Sequence, residues 1–530
     1  QGDAMSAPPH DPQLWGLPDR TLELFARNVS TRYLAIFIDG IIGLVMLPFN
    51  LAHLGASTYG LWVLVTSVTT YFSVLDMGYG SAQVKFAAQY RALRDTRAIN
   101  EIASSIFFLF LGVAVVAYAL VALVAFNIDR IFSLQPDQFR LGRDVLLIVG
   151  LYIALGFPFS TYGGIVNGFQ RYYANNAVAI GTAIAAAVAN LVVLMAGHGL
   201  LALVAATTGI RIVSLLLYRW NAYRAFPPLS VNWRLVRRGR LREVTGFSAY
   251  LLIISLAAKI NVTADTMVIG AVVSTAAIAV WTVAFRLTDA TRMVTVVLTQ
   301  FLFPTVVDHA ARNRLDRLRE ILVQATRLQL ATCVPMASIT AMLAPAIVLA
   351  WVGPRFESSV VLVYLLAALV IVRMGTHTAR TVLMGTGQHK MVAVWSVVVA
   401  LINLPLSIVL VRRYGLPGVA IGTLIPSTIV NLAVLFPAAC RRIELPLSQA
   451  LRDALWPTLW PAVLPCVMLF YMRPWIGTSV WRIVLAAAMA GIVYAMVFLG
   501  LAIANEERRW YVDKLRSLIR RPSALLPARL

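Results

Sequence analysis

Runs of about twenty apolar residues, broken by short clusters of charge, glycine and proline, recur along nearly the whole chain. A helix needs about twenty apolar residues to cross the hydrocarbon of a bilayer. The pattern predicts fourteen spans, near 32–54, 58–77, 103–127, 145–168, 173–197, 199–218, 246–272, 275–303, 328–351, 359–384, 390–411, 416–439, 455–472 and 481–503. Several soluble domains with buried helices would not repeat such runs through the full length. The expected fold is therefore an all-α polytopic membrane protein.

The pattern also repeats at an offset of about 216 to 218 residues. "GIVNGFQRYY", Asn190 and "GHGLLALVAATTG" in the first half answer "TVLMGTGQHK", Asn403 and "RYGLPGVAIGTL" in the second. Six helices per half is an even number, so the two halves start on the same side and the repeat is parallel. Two pseudo-symmetric six-helix lobes around a central cavity, plus two C-terminal helices, follow. The expected segments are an N-terminal piece at 1–31, an N-lobe at 32–218, a basic connector at 219–245, a C-lobe at 246–439, a helix pair at 440–503 and a basic tail at 504–530. The opening Gln1 to Ala4, before Met5, reads as a tag remnant, and no cleavable signal peptide is visible in the Pro-rich, polar first twenty residues.

Charge sets the orientation. Of 45 Lys and Arg, with Lys390 and Arg482 at the edges of their spans counted with the flanking segments, 30 fall in the segments after even-numbered spans and in the tails, 8 after odd-numbered spans and 7 within spans. Basic residues mark the cytoplasmic side, so both termini are expected in the cytoplasm, and a missed helix would scramble the asymmetry from that point onward. The net charge of +22 is thereby explained without a nucleic-acid partner. The connector carries seven arginines among Trp220, Phe226, Trp233 and Leu235, which suits a segment lying on an anionic leaflet or a solvated basic loop. Composition adds little beyond this: 60% hydrophobic residues, 13% charged and a mean hydropathy of +0.78 exclude an ordinary soluble domain. Cys333, Cys440 and Cys466 are isolated, giving neither a disulfide framework nor a metal site.

Besides Lys390 and Arg482 at the edges of their spans, eleven charged residues fall inside the predicted spans: Arg32, Arg211, Lys259, Arg286, Arg292, Arg373 and Arg380, against Asp39, Asp76, Asp265 and Asp289. At about 3 kcal/mol each in mid-membrane they would outweigh the roughly 5–15 kcal/mol of net stability of a typical domain. They must face a bundle interior or an aqueous cavity. Arg286, Asp289 and Arg292 share one helical face, as do Arg373, His377 and Arg380, and as do Thr207, Arg211 and Ser214. Arginine binds phosphate oxygens bidentately, so Arg211, Lys259, Arg286, Arg292, Arg373 and Arg380 are candidate ligands for an anionic substrate. For Arg286, Asp289 and Arg292 a structural ion network fits the spacing equally well. Asp39, Asp265, Asp289 and His377 are candidates for polar or ion-coupling roles. A polar stripe of Trp62, Thr66, Thr69, Ser73 and Asp76 leads to "LDMGYGSAQVKF". There Asp76, Gly78, Gly80 and Lys85, with Arg32, read as a hinge or gate at the inner mouth. GxxxxGK[ST], HExxH and Gly-rich dinucleotide loops are missing, so the chain reads as no enzyme and needs no cofactor, and transport would draw on an ion gradient, the membrane potential or consumption of its substrate.

At "LGASTYGLWVL" followed by "LDMGYGSAQVKFAAQY", at "GIVNGFQR" and "LMGTGQHK", and at "DTMVIGAVVSTAAIAVWTVAFRL", the sequence resembles Wzx-type lipid-linked oligosaccharide flippases. These are polysaccharide-biosynthesis exporters of the multidrug/oligosaccharidyl-lipid/polysaccharide (MOP) superfamily. The resemblance spans residues 30 to about 505. It implies alternating access and flipping of an undecaprenyl-diphosphate-linked glycan across the bacterial inner membrane. Its implied partners are that lipid-linked glycan, membrane lipids, a coupling cation, and a polymerase with other polysaccharide assembly proteins. Arg211, Lys259, Arg286 and Arg373 correspond in kind to that family's cavity cations. The alternatives are a cation-coupled multidrug exporter, a lipid II flippase, whose arginine cluster on the first two helices finds only Arg32 and Lys85 here, and a non-transporting subunit of a glycan synthase complex.

Overall fold

The computed structural model describes residues 21–76, 79–241, 263–297 and 302–502. Among them no strand occurs. The chain runs through α1 (Thr21–Phe72), α2 (Tyr79–Ala92), α3 (Thr96–Phe126), α4 (Gln138–Gly168), α5 (Tyr172–Met195) and α6 (Leu200–Ala225). It continues with α7 (Thr263–Val272), α8 (Thr275–Val297), α9 (Leu302–Ala311), α10 (Leu315–Trp351), α11 (Ser359–Gly375) and α12 (His377–Gly385). The last four are α13 (His389–Tyr414), α14 (Leu416–Arg442), α15 (Leu447–Ile476) and α16 (Val480–Ala502). The chain divides into two compact units, one ending at Ala279 and the other beginning at Val280.

Eleven helical stretches among the described residues, α11 and α12 counted together as Ser359–Gly385, are long and apolar enough to cross a membrane. The first holds two predicted spans, because α1 is interrupted at Gly55, whose φ of 75° and ψ of 162° only glycine takes without strain. α8 falls outside that count because it carries Arg286, Asp289 and Arg292, and most of the predicted span at 246–272 lies outside the described residues. Large apolar side chains such as Phe37, Val115, Met195, Leu401 and Tyr471 stand exposed along these helices, which hydrocarbon tolerates and water does not.

In the first unit, the core gathers Phe86, Ile99, Ile102, Ile106, Phe110, Phe157, Ile165 and Phe226 from α2, α3, α4 and the end of α6. The sequence pattern treats 78–102 as a basic connection, yet the structure makes residues 79–92 a helix whose buried side, Gln83, Phe86, Ala87 and Tyr90, packs into this core. Glycine makes the approach possible. A Cβ on Gly164 would stand 2.9 Å from Cδ of Gln83, and one on Gly168 would stand 2.6 Å from Cβ of Ala87, so the "GIVNG" motif is a small-xxx-small contact surface. The second unit repeats the joint: a Cβ on Gly385 would stand 2.5 Å from Cγ1 of Val306 on α9. Helix terminators repeat as well, with positive φ at Gln170 and Gly197 in the first unit and at Gly387 and Gly415 in the second.

The connector, expected as a segment on an anionic leaflet or as a solvated basic loop, is docked against the helices of the first unit. Phe226 is fully buried against Phe169, and the backbone beyond it is strapped to α3. Asn100 donates to Pro228 O and accepts from Ser230 N, each at 3.0 Å, and the Ser105 hydroxyl accepts from Arg237 N at 2.9 Å. Glu101 collects Arg97 at 3.1 Å, Arg237 at 3.7 Å and Arg240 at 3.4 Å. Trp220 and Trp233 do remain exposed.

In the second unit a core of Val306, Leu318, Leu322, Leu383, Phe436 and Ile443 joins α9, α10, α12 and α14. Asn403 pins α13 to α14, its Oδ1 accepting from Ser407 at 2.8 Å and from Thr423 at 3.0 Å. α15 and α16 pack on α10 through Leu469, Ala486 and Ala490 against Leu343.

Candidate functional site

Two of the quoted motifs meet in a seam between the second half of α1 and the α7–α8 segment. At one end the Ser57 hydroxyl lies 3.1 Å from the Thr275 hydroxyl, and Gln138 ties both, donating to Ser57 at 2.9 Å and accepting from Thr275 at 3.2 Å. Gly60 faces the Thr275 carbonyl, and a Cβ on Gly270 would reach Leu64 Cδ1 at 2.7 Å. At the other end the Tyr71 side chain hydrogen-bonds Thr263, with Asp265 within electrostatic reach. Asp265 is 7% exposed. A carboxylate so enclosed costs several kcal/mol unless its charge is matched, and it is the most enclosed of the three aspartate candidates. Asp39 is exposed, and Asp289 pairs with Arg292.

Beyond this seam Asp76 closes a 3₁₀ turn, and its carboxylate accepts a hydrogen bond from Gly80 N in the first turn of α2. A negative charge there suits the positive end of the helix. The predicted gate is thus a helix junction in which Asp76 and Gly80 meet. Gly78 and Lys259 lie outside the described residues. Lys85 is exposed, with Nζ 5.1 Å from the Phe86 ring, and Arg32 is exposed too. The stripe leading to the junction keeps its hydroxyls occupied: Thr66, Thr69 and Thr70 all donate to carbonyls of their own helix.

Next to the junction is a cavity of about 490 Å³, bounded by Gly80, by Tyr152, Ser160 and Asn167 of α4 and by Tyr218 of α6. Arg211 is exposed, with its guanidinium 5.8 Å from the Tyr152 ring. No carboxylate pairs with Arg211 among the described residues.

The second unit holds the other cations. Arg292 pairs with Asp289 one turn earlier on α8, the structural network that the spacing allows, while Arg286 is exposed without a carboxylate among the described residues. Arg373, His377 and Arg380 do not share a continuous helix. α11 stops at Gly375, and Thr376, with φ −109° and ψ 0°, separates it from α12. The Thr376 hydroxyl takes up the freed Val372 carbonyl at 2.9 Å. Arg380 donates to Ser396 at 3.0 Å, and His377 Nδ1 is buried with no hydrogen-bond partner among the described residues. A half-helix with two basic side chains in its first turn is the kind of interrupted element that lines transport sites.

Sequence reasoning missed Arg327. It sits just before a predicted span, but α10 begins twelve residues earlier at Leu315, and Arg327 is 7% exposed. Its Nε donates to Asp453 O at 2.8 Å, where α15 winds as a π-helix. It clamps two helices together, and its only sequence signal is a lone arginine at the edge of an apolar run.

The sequence profile of the family described as "Polysaccharide biosynthesis protein" matches residues 25–309. The chain belongs to that family. No curated protein sequence matches it. Among solved structures it is similar to the lipid II flippase MurJ in an inward closed conformation, at 15% identity and a TM-score of 0.66, covering 90% of this chain and 99% of that one. It is also similar to an inward-facing multidrug resistance MATE family transporter of the MOP superfamily, at 16% identity and a TM-score of 0.62, covering 79% and 94%. A third is a MOP superfamily transporter from Pyrococcus furiosus, described by the reverse polarity of its binding pocket, at 17% identity and a TM-score of 0.52 over 83% and 99%. At such identities the likeness is one of fold. This polysaccharide biosynthesis family member is accordingly a multi-pass membrane protein with a MOP transporter fold.

Proposed function

We propose that the chain flips a polyprenyl-diphosphate-linked oligosaccharide from the cytoplasmic to the outer leaflet of the bacterial inner membrane. Family membership carries the reading, because polysaccharide assembly at a membrane needs its lipid-linked intermediates moved across it. The substrate class is supported by the excess of arginine over carboxylate. Arg211, Arg286 and Arg380 have no carboxylate partner among the described residues, and Arg292, Arg373 and Lys259 complete the candidate set. In this reading fourteen spans form two six-helix lobes around a cationic cavity, with two further helices and both termini in the cytoplasm. The diphosphate and glycan enter from the cytoplasmic side, the polyprenyl tail stays in lipid, and the lobes rock outward. Asp76 and Gly80 form the joint at the inner mouth. No step makes or breaks a covalent bond, so no catalytic residue or cofactor is required.

For coupling to a cation, Asp265 stands out from Asp39 and Asp289 by its enclosed position beside Tyr71 and Thr263. His377, with a buried unpartnered nitrogen, is the secondary candidate. Lipid II shares the polyprenyl-diphosphate chemistry, and the fold likeness to MurJ keeps it as a second substrate reading.

The test is reconstitution in liposomes with a lipid-linked glycan, its appearance on the opposite leaflet read by a glycan-binding lectin. Directional movement is expected, and Asp265→Asn should remove its stimulation by an imposed ion gradient, since Asn keeps the shape but not the charge. Absence of movement by the unaltered chain would overturn the flippase assignment. Unchanged gradient stimulation in the variant would exclude Asp265 as the coupling site.

A further inference from the structure

The cavity of the first unit has a composition that the flippase reading alone does not explain. Among the described residues its lining contains no lysine, arginine, aspartate or glutamate; those residues are glycines, Tyr152, Phe159, Ser160, Asn167 and Tyr218 with two aliphatic side chains. A diphosphate would require cations, a cationic drug a carboxylate, and a polyprenyl tail no polar group at all. Aromatic faces with hydroxyl and amide groups suit a neutral sugar.

Three observations show that the hollow is kept open rather than left over. The Tyr152 and Tyr218 hydroxyls make no hydrogen bond among the described residues, while the Asn167 Oδ1 accepts from Asn175 at 2.9 Å, which anchors the Asn167 amide at the wall. The volume of about 490 Å³ falls within the roughly 300–1,000 Å³ usual for small-ligand sites. The glycines of α4 divide into two classes. Gly164 and Gly168 are demanded by the approach of α2, but a Cβ on Gly156 would meet nothing within 4 Å, and one on Gly163 only Asn175 Nδ2 at 3.7 Å. Helix packing does not require Gly156 or Gly163. Their missing side chains enlarge the cavity instead.

The hollow is also placed beside Arg211, a candidate phosphate ligand. Arg211, Leu215 and Tyr218 recur at i, i+4 and i+7 along α6, so the arginine shares a face with two residues of the lining. We infer that this cavity is a sugar subsite, taking the first neutral sugar rings of the lipid-linked glycan while Arg211, at its edge, takes the adjoining diphosphate. The assignment rests on the flippase reading and adds to it where the glycan is recognised and by which chemistry.

The full chain in detergent micelles is tested by calorimetry with geranylgeranyl diphosphate and with the same lipid carrying glucose, galactose, N-acetylglucosamine or N-acetylgalactosamine on its diphosphate. At least one sugar-bearing lipid should bind about tenfold or more tighter than the bare lipid. Gly156→Met, which fills open space, and the double variant Tyr218→Phe with Asn167→Ala should each abolish that gain and leave bare-lipid affinity unchanged. Arg211→Gln should weaken all the lipids alike. If every sugar-bearing lipid binds the unaltered chain no tighter than the bare one, or if both cavity variants keep the gain, the sugar subsite is overturned and the flippase reading stands. If no lipid binds the unaltered chain, the flippase reading falls and the subsite with it.

Discussion

Replacing Arg373 and Arg380 together by glutamate is expected to abolish glycan export while the protein still accumulates in the membrane. The two arginines flank the Gly375–Thr376 break that separates α11 from α12, and Arg380 is held toward Ser396 by a 3.0 Å hydrogen bond. At an effective dielectric near 20, a unit charge about 5 Å from a phosphate oxygen is worth roughly 3 kcal/mol. Reversal removes that attraction and adds a comparable repulsion at each position. If both arginines face the diphosphate as proposed, the expected loss in binding, after solvent screening, is on the order of a thousandfold or more. Arg380→Lys separates charge from geometry: it keeps the cation but loses the planar fork, so partial export is expected. Surface polysaccharide in cells whose only copy is the variant, measured beside membrane protein level, checks this. Normal export from the double glutamate variant would remove these arginines from the substrate path.

The spans were legible because lipid imposes a composition that no interior does. Runs such as 103–127 and 481–503 leave no other reading. The pairing of Asp289 with Arg292 was legible in the same way, since three residues on a helix fix the neighbours. α2 was not: its fourteen residues balance Phe86, Ala87 and Tyr90 against Gln83, Lys85 and Arg91, and only the glycines of α4, far along the chain, reveal that it is buried. The break at Thr376 left no mark because a hydroxyl returning to a carbonyl replaces the usual proline. The docked connector escaped for a related reason. Asn100, Ser104 and Ser105 bind its backbone rather than its side chains, so the connector's own sequence records only a run of arginines. For the candidate site, the residue types were readable, but their grouping was not. Asp39, Asp265 and Asp289 look alike as isolated acids in apolar runs and differ only in burial and partner.

The largest loss of stability should come from the smallest substitution, Gly60→Ala. An added Cβ would collide with the backbone carbonyl of Thr275 and with no movable side chain. Thr275 cannot retreat freely, because its hydroxyl is tied to Ser57 at 3.1 Å and to Gln138 at 3.2 Å, and Thr275 and Gln138 are only 2% and 4% exposed. Overpacking a closed contact costs about 1–3 kcal/mol, and each displaced hydrogen bond adds on the order of 1 kcal/mol. A total near 3–5 kcal/mol is a large share of a typical net stability of roughly 5–15 kcal/mol. Gly112→Ala and Gly181→Ala provide the contrast: a Cβ at either position meets nothing within 4 Å, so helix propensity alone should make each neutral or stabilising by up to about 1 kcal/mol. Thermal unfolding of the three variants in one detergent separates the cases. The Gly60 variant should melt well below the parent or fail to accumulate, while the other two match or exceed it. A parental melting temperature for Gly60→Ala would mean that the seam between α1 and the start of α8 has slack, and that the Ser57, Gln138 and Thr275 cluster does not fix their spacing.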